Sequence, residues 1–297
     1  MEKIILDSGK EVYGADPYVP NKALRRAFVG RHREMTMVTA AWMGGVASPP
    51  QSPLLVGDPG VGKNRLVYEL ARQSGLSLYI LQGHEEITPE DLACSLRFSD
   101  EKPGSMDYVL SPLATAMHKG GICFIDEIGK FSPRATALLA SVLDDRRYMS
   151  SHLLADTVFA KPSFRLIAAT NCGEAGALPE FVQSRMRPFI QVDYPPREEI
   201  DEILERLLAE ESDRAKLISA FWGLWMDADR PLSYRLANHH ISLAKGLCDV
   251  EGLMRTENQS GKFQYALKKL NQDPGEFPLK ARHLEEAFEQ LKEKDAA

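Results

Sequence analysis

The sequence predicts an α/β protein: a parallel sheet flanked by helices, followed by a small α-helical domain. Three observations lead there. Apolar runs at 53–56, 122–125 and 164–170 each end in glycine-rich or polar residues, as buried strands of a parallel sheet do. The first run passes through glycines into an amphipathic stretch, 65–72, carrying Leu66, Tyr68, Leu70 and Ala71. Beyond Pro195 and Pro196 the apolar spacing changes to three and four, with Ile200, Ile203, Leu204, Leu207 and Leu208 on one face.

In chain order, residues 1–23 read as an N-terminal extension, 24–195 as the α/β domain and 196–297 as the α-helical lid. The segment Gly57, Asp58, Pro59, Gly60, Val61, Gly62, Lys63, Asn64 fits the phosphate loop G-x-x-x-x-G-K-S/T except at its last position. In that pattern glycines let backbone N–H groups wrap phosphates, the lysine meets the β and γ oxygens, and the hydroxyl ligates Mg²⁺. Lys63 would stand at a helix N-terminus, where free N–H groups favour an anion. Asn64 offers an amide oxygen in place of the hydroxyl, a neutral and bulkier ligand. Nucleotide binding is therefore a firmer expectation than hydrolysis.

The run 121–125 ends in Asp126 and Glu127, the Walker B pattern. A buried strand there puts both carboxylates at a carboxyl edge, where open α/β sheets bind ligands. Asp126 is the candidate for Mg²⁺, and Glu127 for polarising the water that attacks the γ-phosphate. The strand at 164–170 brings Asn171 to the same edge, either as a γ-phosphate contact or as a turn-forming residue. Helical stretches are expected at 197–210, 216–225, 233–247 and after Leu279, with Trp222 and Trp225 in the core.

Composition narrows the class. The chain has 297 residues, 44% hydrophobic, and a formal charge of −6, which suffice for a real core and argue against a dedicated nucleic-acid surface. Basic pairs such as Arg25-Arg26 and Arg146-Arg147 read as solvated faces. No long apolar run suggests a membrane span or signal peptide, and Cys94, Cys123, Cys172 and Cys248 are scattered as reduced thiols would be. A cytoplasmic location is expected.

Taken together, these residues resemble the AAA+ ATPases, and within them the MoxR-like group with its midasin and CbbQ/NorQ relatives. The resemblance covers roughly residues 24 to 245. It begins with Ala27, Phe28, Val29, Gly30 and Arg31, which resemble a segment lining the adenine pocket, and it implies a sensor 1 role for Asn171. The stretch Leu178 to Arg187 resembles the family's L-P-E-A…D-R-F segment, whose arginine reaches the neighbouring subunit's nucleotide. Ser184 and Met186 replace its usual Asp and Phe, so Arg185 and Arg187 compete as the arginine finger. Arg235, in Leu232-Ser233-Tyr234-Arg235, is the implied sensor 2 residue. Residues 91–111, with the turn-rich 99–105, resemble the helix 2 insert, and 147–159 the hairpin before sensor 1. By that resemblance Tyr148, Met149 or Met106 would touch substrate.

The resemblance implies a ring, expected to be a hexamer, that uses ATP and Mg²⁺ to remodel or activate a separate protein, one that could carry a von Willebrand factor A domain. The alternative is a hydrolysis-poor nucleotide-binding scaffold, supported by Asn64. A nucleic-acid motor has only the fold in its favour.

Overall fold

The computed structural model describes residues 1–20, 28–44, 48–99, 101, 103–226, 231–256 and 277–293. Arg25, Arg26 and Ala27 lie outside the described residues, as do Asp100 and Lys102 of the turn-rich stretch. The chain divides into two compact units, Met1–Asp193 and Tyr194–Ala297.

In chain order the first unit contains β1 (Lys3–Ile5), β2 (Glu11–Tyr13), α1 (His32–Met43), β3 (Leu54–Val56), α2 (Lys63–Ser74), β4 (Leu78–Gln82), α3 (Pro89–Ala93), β5 (Cys94–Phe98), β6 (Met106–Leu110) and α4 (Pro112–Lys119). It continues with β7 (Ile122–Asp126), α5 (Pro133–Leu143), β8 (Tyr148–Ser151), β9 (Asp156–Phe159), β10 (Arg165–Thr170), α6 (Cys172–Ala175), α7 (Glu180–Arg185) and β11 (Phe189–Gln191).

Five strands form one parallel sheet in the order β11-β3-β10-β7-β4. Ile122, Cys123, Phe124 and Ile125 are all fully buried, which is why β7 reads as an unbroken apolar run: both of its faces are covered. Helix α2 buries Leu66, Val67, Leu70 and Ala71 and ends at Gly75, whose N–H caps Ala71. Ser111 and Ser132 cap the N-termini of α4 and α5, each followed by a proline at the first helical position. These local signals set where each helix starts, and the starts determine which residues reach the strand ends.

Residues 1–23, expected as an extension, contribute β1 and β2 to a second sheet of order β1-β2-β6-β5. There β5 and β6 pair antiparallel while β2 lies parallel to β6. Strands β8 and β9 form a hairpin of their own. It is tied to the β1–β2 turn by Ser8 to Asp156 and Lys10 to the Leu154 carbonyl, and to α3 by Ser151 to Glu90 at 2.7 Å.

Within this region Met106 and Phe98 are exposed and directly paired, as a surface role requires. Met149, expected as an exposed substrate contact, is only 1% exposed. It faces Val158 across the hairpin, and both point into the core, because alternate residues of a strand face opposite sides. Tyr148, the next residue back, is half-buried against Phe159.

The second unit is helical: α8 (Arg197–Leu207), α9 (Arg214–Met226), α10 (Tyr234–Thr256) and α11 (Ala281–Glu293). Its core gathers Ile200, Leu204, Phe221, Trp225, Ile241 and Phe288. Trp222, expected in the core, is half-buried, donates its Nε1 hydrogen to Asp201 at 2.5 Å and lies under Arg197. Arg235 is exposed on the first turn of α10, which Ser233 caps by accepting from the Leu236 N–H. All four cysteines are free.

Candidate nucleotide site

The site is built where β3, β7 and β10 end. Gly62 caps α2 with φ 104°, a conformation only glycine adopts without strain, and this turns the chain so that Lys63 opens the helix. Lys63 is 8% exposed. Its Nζ donates to the Gly57 carbonyl at 2.5 Å, the Asp58 carbonyl at 3.1 Å and Asn171 Oδ1 at 3.3 Å. These three acceptors are neutral, so the ammonium retains its attraction for an anion.

Asn171 therefore does more than start a loop. It stands at the N-cap of α6 without a side-chain cap bond and instead turns its oxygen to Lys63. Asn64, next along α2, donates from Nδ2 to Asp126 Oδ2 at 2.7 Å. Burial raises the Asp126 carboxyl above its ordinary value, and the Asn64 hydrogen bond opposes that shift by favouring the ionised form.

Glu127 follows in the left-handed region at φ 56°, a conformation that costs energy for a residue with a side chain. Two neighbours hold it. Gln82 Nε2 and Lys130 Nζ each donate to Glu127 Oε2 at 2.8 Å. Behind it, the Gly83 N–H donates to the Asp126 carbonyl at 2.7 Å, and a Cβ on Gly83 would fall 2.2 Å from the Glu127 carbonyl oxygen. Gly83 thus lets the end of β4 approach the Walker B turn.

The loop itself is pinned from behind by Arg31, which is buried and donates to the Val61 carbonyl at 2.9 Å, to the Asp193 carbonyl at 2.5 Å and to Glu34 at 3.0 Å. Val29 beside it is buried and Phe28 half-buried.

The structure thus brings together Lys63, Asn64, Asp126, Glu127 and Asn171 from three separate stretches of sequence at one sheet edge. Arg185 and Arg187 are both exposed, separated by the fully buried Met186, which occupies the core position usually held by Phe. Arg185 donates to the Phe181 carbonyl of its own helix at 3.2 Å, and Arg187 stacks over Phe189 at 4.4 Å.

Sequence reasoning missed the support for these groups. Gln82 ends β4, which is not among the apolar runs expected as strands, and Arg31 falls in the segment that resembles an adenine-pocket lining. The Arg-to-loop contact carries no local pattern, since its partners are backbone carbonyls distant in sequence.

A parallel sheet of this order with a phosphate loop, Walker B carboxylates and a polar third strand end defines a P-loop ATPase of the AAA+ class. The AAA domain family, dynein-related subfamily, matches residues 52–186. The chain is 30% identical to protein NorQ of Paracoccus denitrificans over 200 residues, spanning 65% of this chain and 73% of NorQ. It is 29% identical to the denitrification regulatory protein NirQ of Stutzerimonas stutzeri, over 58% of this chain and 60% of NirQ. Among solved structures, a RuvB variant of Thermotoga maritima matches with TM-score 0.56 and 18% identity, covering 89% of this chain and 71% of that one. That likeness is one of fold alone. The chain belongs to the MoxR-like AAA+ ATPases, of the NorQ and NirQ type. Membership implies nucleotide binding. No helix among the described residues is long and apolar enough to cross a membrane.

Proposed function

We propose that this chain hydrolyses ATP within a ring of like subunits, expected to be a hexamer, and uses the cycle to remodel or activate a separate cytoplasmic protein. The observation that carries the reading is the convergence of Lys63, Asn64, Asp126 and Asn171 within hydrogen-bonding distance at one sheet edge. In this reading Lys63 and the N–H groups of residues 57–64 hold the phosphates. The donor set fits Mg²⁺, a hard cation that binds through one or two protein oxygens while keeping phosphates and waters as its other ligands. Asp126 supplies a carboxylate oxygen, and Asn64, whose nitrogen is committed to Asp126, has Oδ1 to offer. Magnesium, when bound, neutralises charge that develops on the phosphates.

Glu127, fixed by Gln82 and Lys130, orients the attacking water, and Asn171 contacts the γ-phosphate. Phe28 and Val29 line the adenine end, and Arg235 keeps the sensor 2 role that the family resemblance implies. An exposed arginine, Arg185 or Arg187, enters the neighbour's site. The surface arginine of each chain then completes another chain's site, which makes turnover a property of the assembly. NirQ is a denitrification regulatory protein, which supports a regulated partner for this chain, one that could carry a von Willebrand factor A domain.

A second reading rests on Asn64. Without the usual hydroxyl, the chain would bind ATP as a switch that holds the assembly and hydrolyse it negligibly. Mg²⁺-dependent ATP turnover, measured beside ATP binding, separates the two. The motor reading expects turnover that Glu127→Gln abolishes while ATP binding is kept. ATP binding without turnover in the wild type, with turnover appearing in Asn64→Thr, would establish the switch.

A further inference from the structure

Arg31 lies outside the phosphate loop and the Walker B pair, yet its guanidinium touches the back of the loop. It caps α1 in the left-handed region at φ 59°, an arrangement that costs energy for a residue with a side chain. The Met35 N–H donates to the Arg31 carbonyl at 3.0 Å, so the start of the helix fixes the Arg31 backbone. Its guanidinium is buried and paired at 3.0 Å with Glu34, which is only 14% exposed and stands one turn along α1. From that seat Nη2 donates to the Val61 carbonyl at 2.9 Å and to the Asp193 carbonyl at 2.5 Å.

Val61 stands between Gly60 at φ 88° and Gly62 at φ 104°, and glycine lets the peptides around it rotate at little cost. Local sequence therefore does not decide which way the 61–62 peptide faces. In a trans peptide the C=O and N–H groups point in opposite directions. A donor that captures the Val61 carbonyl from outside thus turns the Gly62 N–H to the inner side of the loop, where N–H groups wrap phosphates. The second acceptor gives the contact a fixed point. Asp193 follows β11, whose neighbour Val192 donates its N–H to the Val56 carbonyl at 2.7 Å, and a Cβ on Gly57 would fall 2.3 Å from the Val192 oxygen. The end of this strand runs close against the start of the loop, and Arg31 bonds to both.

We propose that Arg31, seated by Glu34, is a positioning residue that presets the phosphate loop. It holds the 61–62 peptide with the Gly62 N–H turned to the phosphates and ties that setting to the end of β11. This rests on the nucleotide-site reading above. Donors oriented before the ligand arrives need no ordering when it binds, and the gain appears as affinity. A hydrogen bond to a charged group corresponds to about 10–100-fold in affinity, which sets the scale of the effect.

The test measures ADP binding by the full chain in EDTA, by calorimetry, with affinity and stoichiometry read separately. Metal is excluded so that the Asn64 and Asp126 positions do not enter through Mg²⁺. Arg31→Met keeps an apolar stem and removes every donor. The double variant Arg31→Met/Glu34→Gln removes both charges together, so no carboxylate is left buried alone. Each is expected to raise the Kd for ADP by about tenfold or more at unchanged stoichiometry. Glu34→Gln alone leaves both carbonyl contacts of Arg31 in reach and should raise it by less.

An unchanged Kd in both Arg31→Met variants would overturn the proposal. So would a fall in stoichiometry at unchanged Kd, which marks a merely structural role, since partial unfolding removes sites without altering those that remain. A loss in Glu34→Gln as large as in the double variant would also overturn it, by assigning the effect to the ion pair instead of the loop contact. Failure of the wild type to bind ADP would instead overturn the nucleotide-site reading, and this inference with it.

Discussion

At position 64 a carboxamide donates to a carboxylate, and the exchange of one atom reverses the contact. Asn64→Asp would set a second carboxylate oxygen where Nδ2 now lies 2.7 Å from Asp126. Like charges so close cannot both ionise without cost. The variant is expected to lose on the order of 1–3 kcal/mol of stability in EDTA, seen as a lower thermal midpoint, and to recover part of it with Mg²⁺ and ATP. The two exposed arginines separate by their surroundings. Arg187 is engaged with Phe189 of its own chain, whereas Arg185, among the described residues, meets a carbonyl of its own helix. Arg185→Ala is therefore expected to cut ATP turnover by about 10³ or more, and Arg187→Ala by far less, in steady-state assays of the assembled protein. Lys63, Asp126 and Asn171 were legible because each ends or follows a buried apolar run. Gln82 and Lys130 were not, because a supporting residue is chosen by geometry and no spacing rule marks it.

Two elements, one in each unit, offer a test of how the fold is held. The end of β4 reaches the Walker B turn only because Gly83 has no Cβ, which would lie 2.2 Å from the Glu127 carbonyl oxygen. Gly83→Ala is expected to cost about 1–3 kcal/mol by overpacking and to displace Glu127, so turnover falls while ATP affinity in EDTA is kept. In the helical unit, His240 on α10 is fully buried among Phe221, Trp225 and Phe288. Burial lowers it to about 4 from 6.5, against a pull from the Leu284 backbone. The unfolded chain then binds more protons between those values, so stability falls as pH drops through 6.5 toward 4. Denaturant unfolding at pH 5 should show a loss on the order of 2 kcal/mol relative to pH 7 from this group, and His240→Leu should flatten that part of the dependence. Helix α2 and strands β3, β7 and β10 could be read from apolar period and flanking glycines. The three-residue β1 and β2 could not, because they are too short to show a period and join a larger sheet only where β2 pairs with β6, which is distant in sequence.

For the whole molecule, the sequence divided correctly into an α/β part and a helical part in kind, since a change of apolar period survives without knowledge of contacts. What a sequence cannot carry is which surface meets a neighbour. Here the exposed arginines lie beside the buried Met186, on a segment whose core side is occupied and whose outer side is free of it. An arginine supplied between chains is worth about 10³ to 10⁵ in rate, so activity per chain should track assembly. The most direct measurement is Mg²⁺-dependent ATP turnover per chain across a wide dilution series, with assembly followed by sedimentation on the same samples. The account predicts a rate per chain that rises with concentration in step with assembly and is absent in Glu127→Gln at every concentration. A constant rate per chain down to the monomer would contradict it.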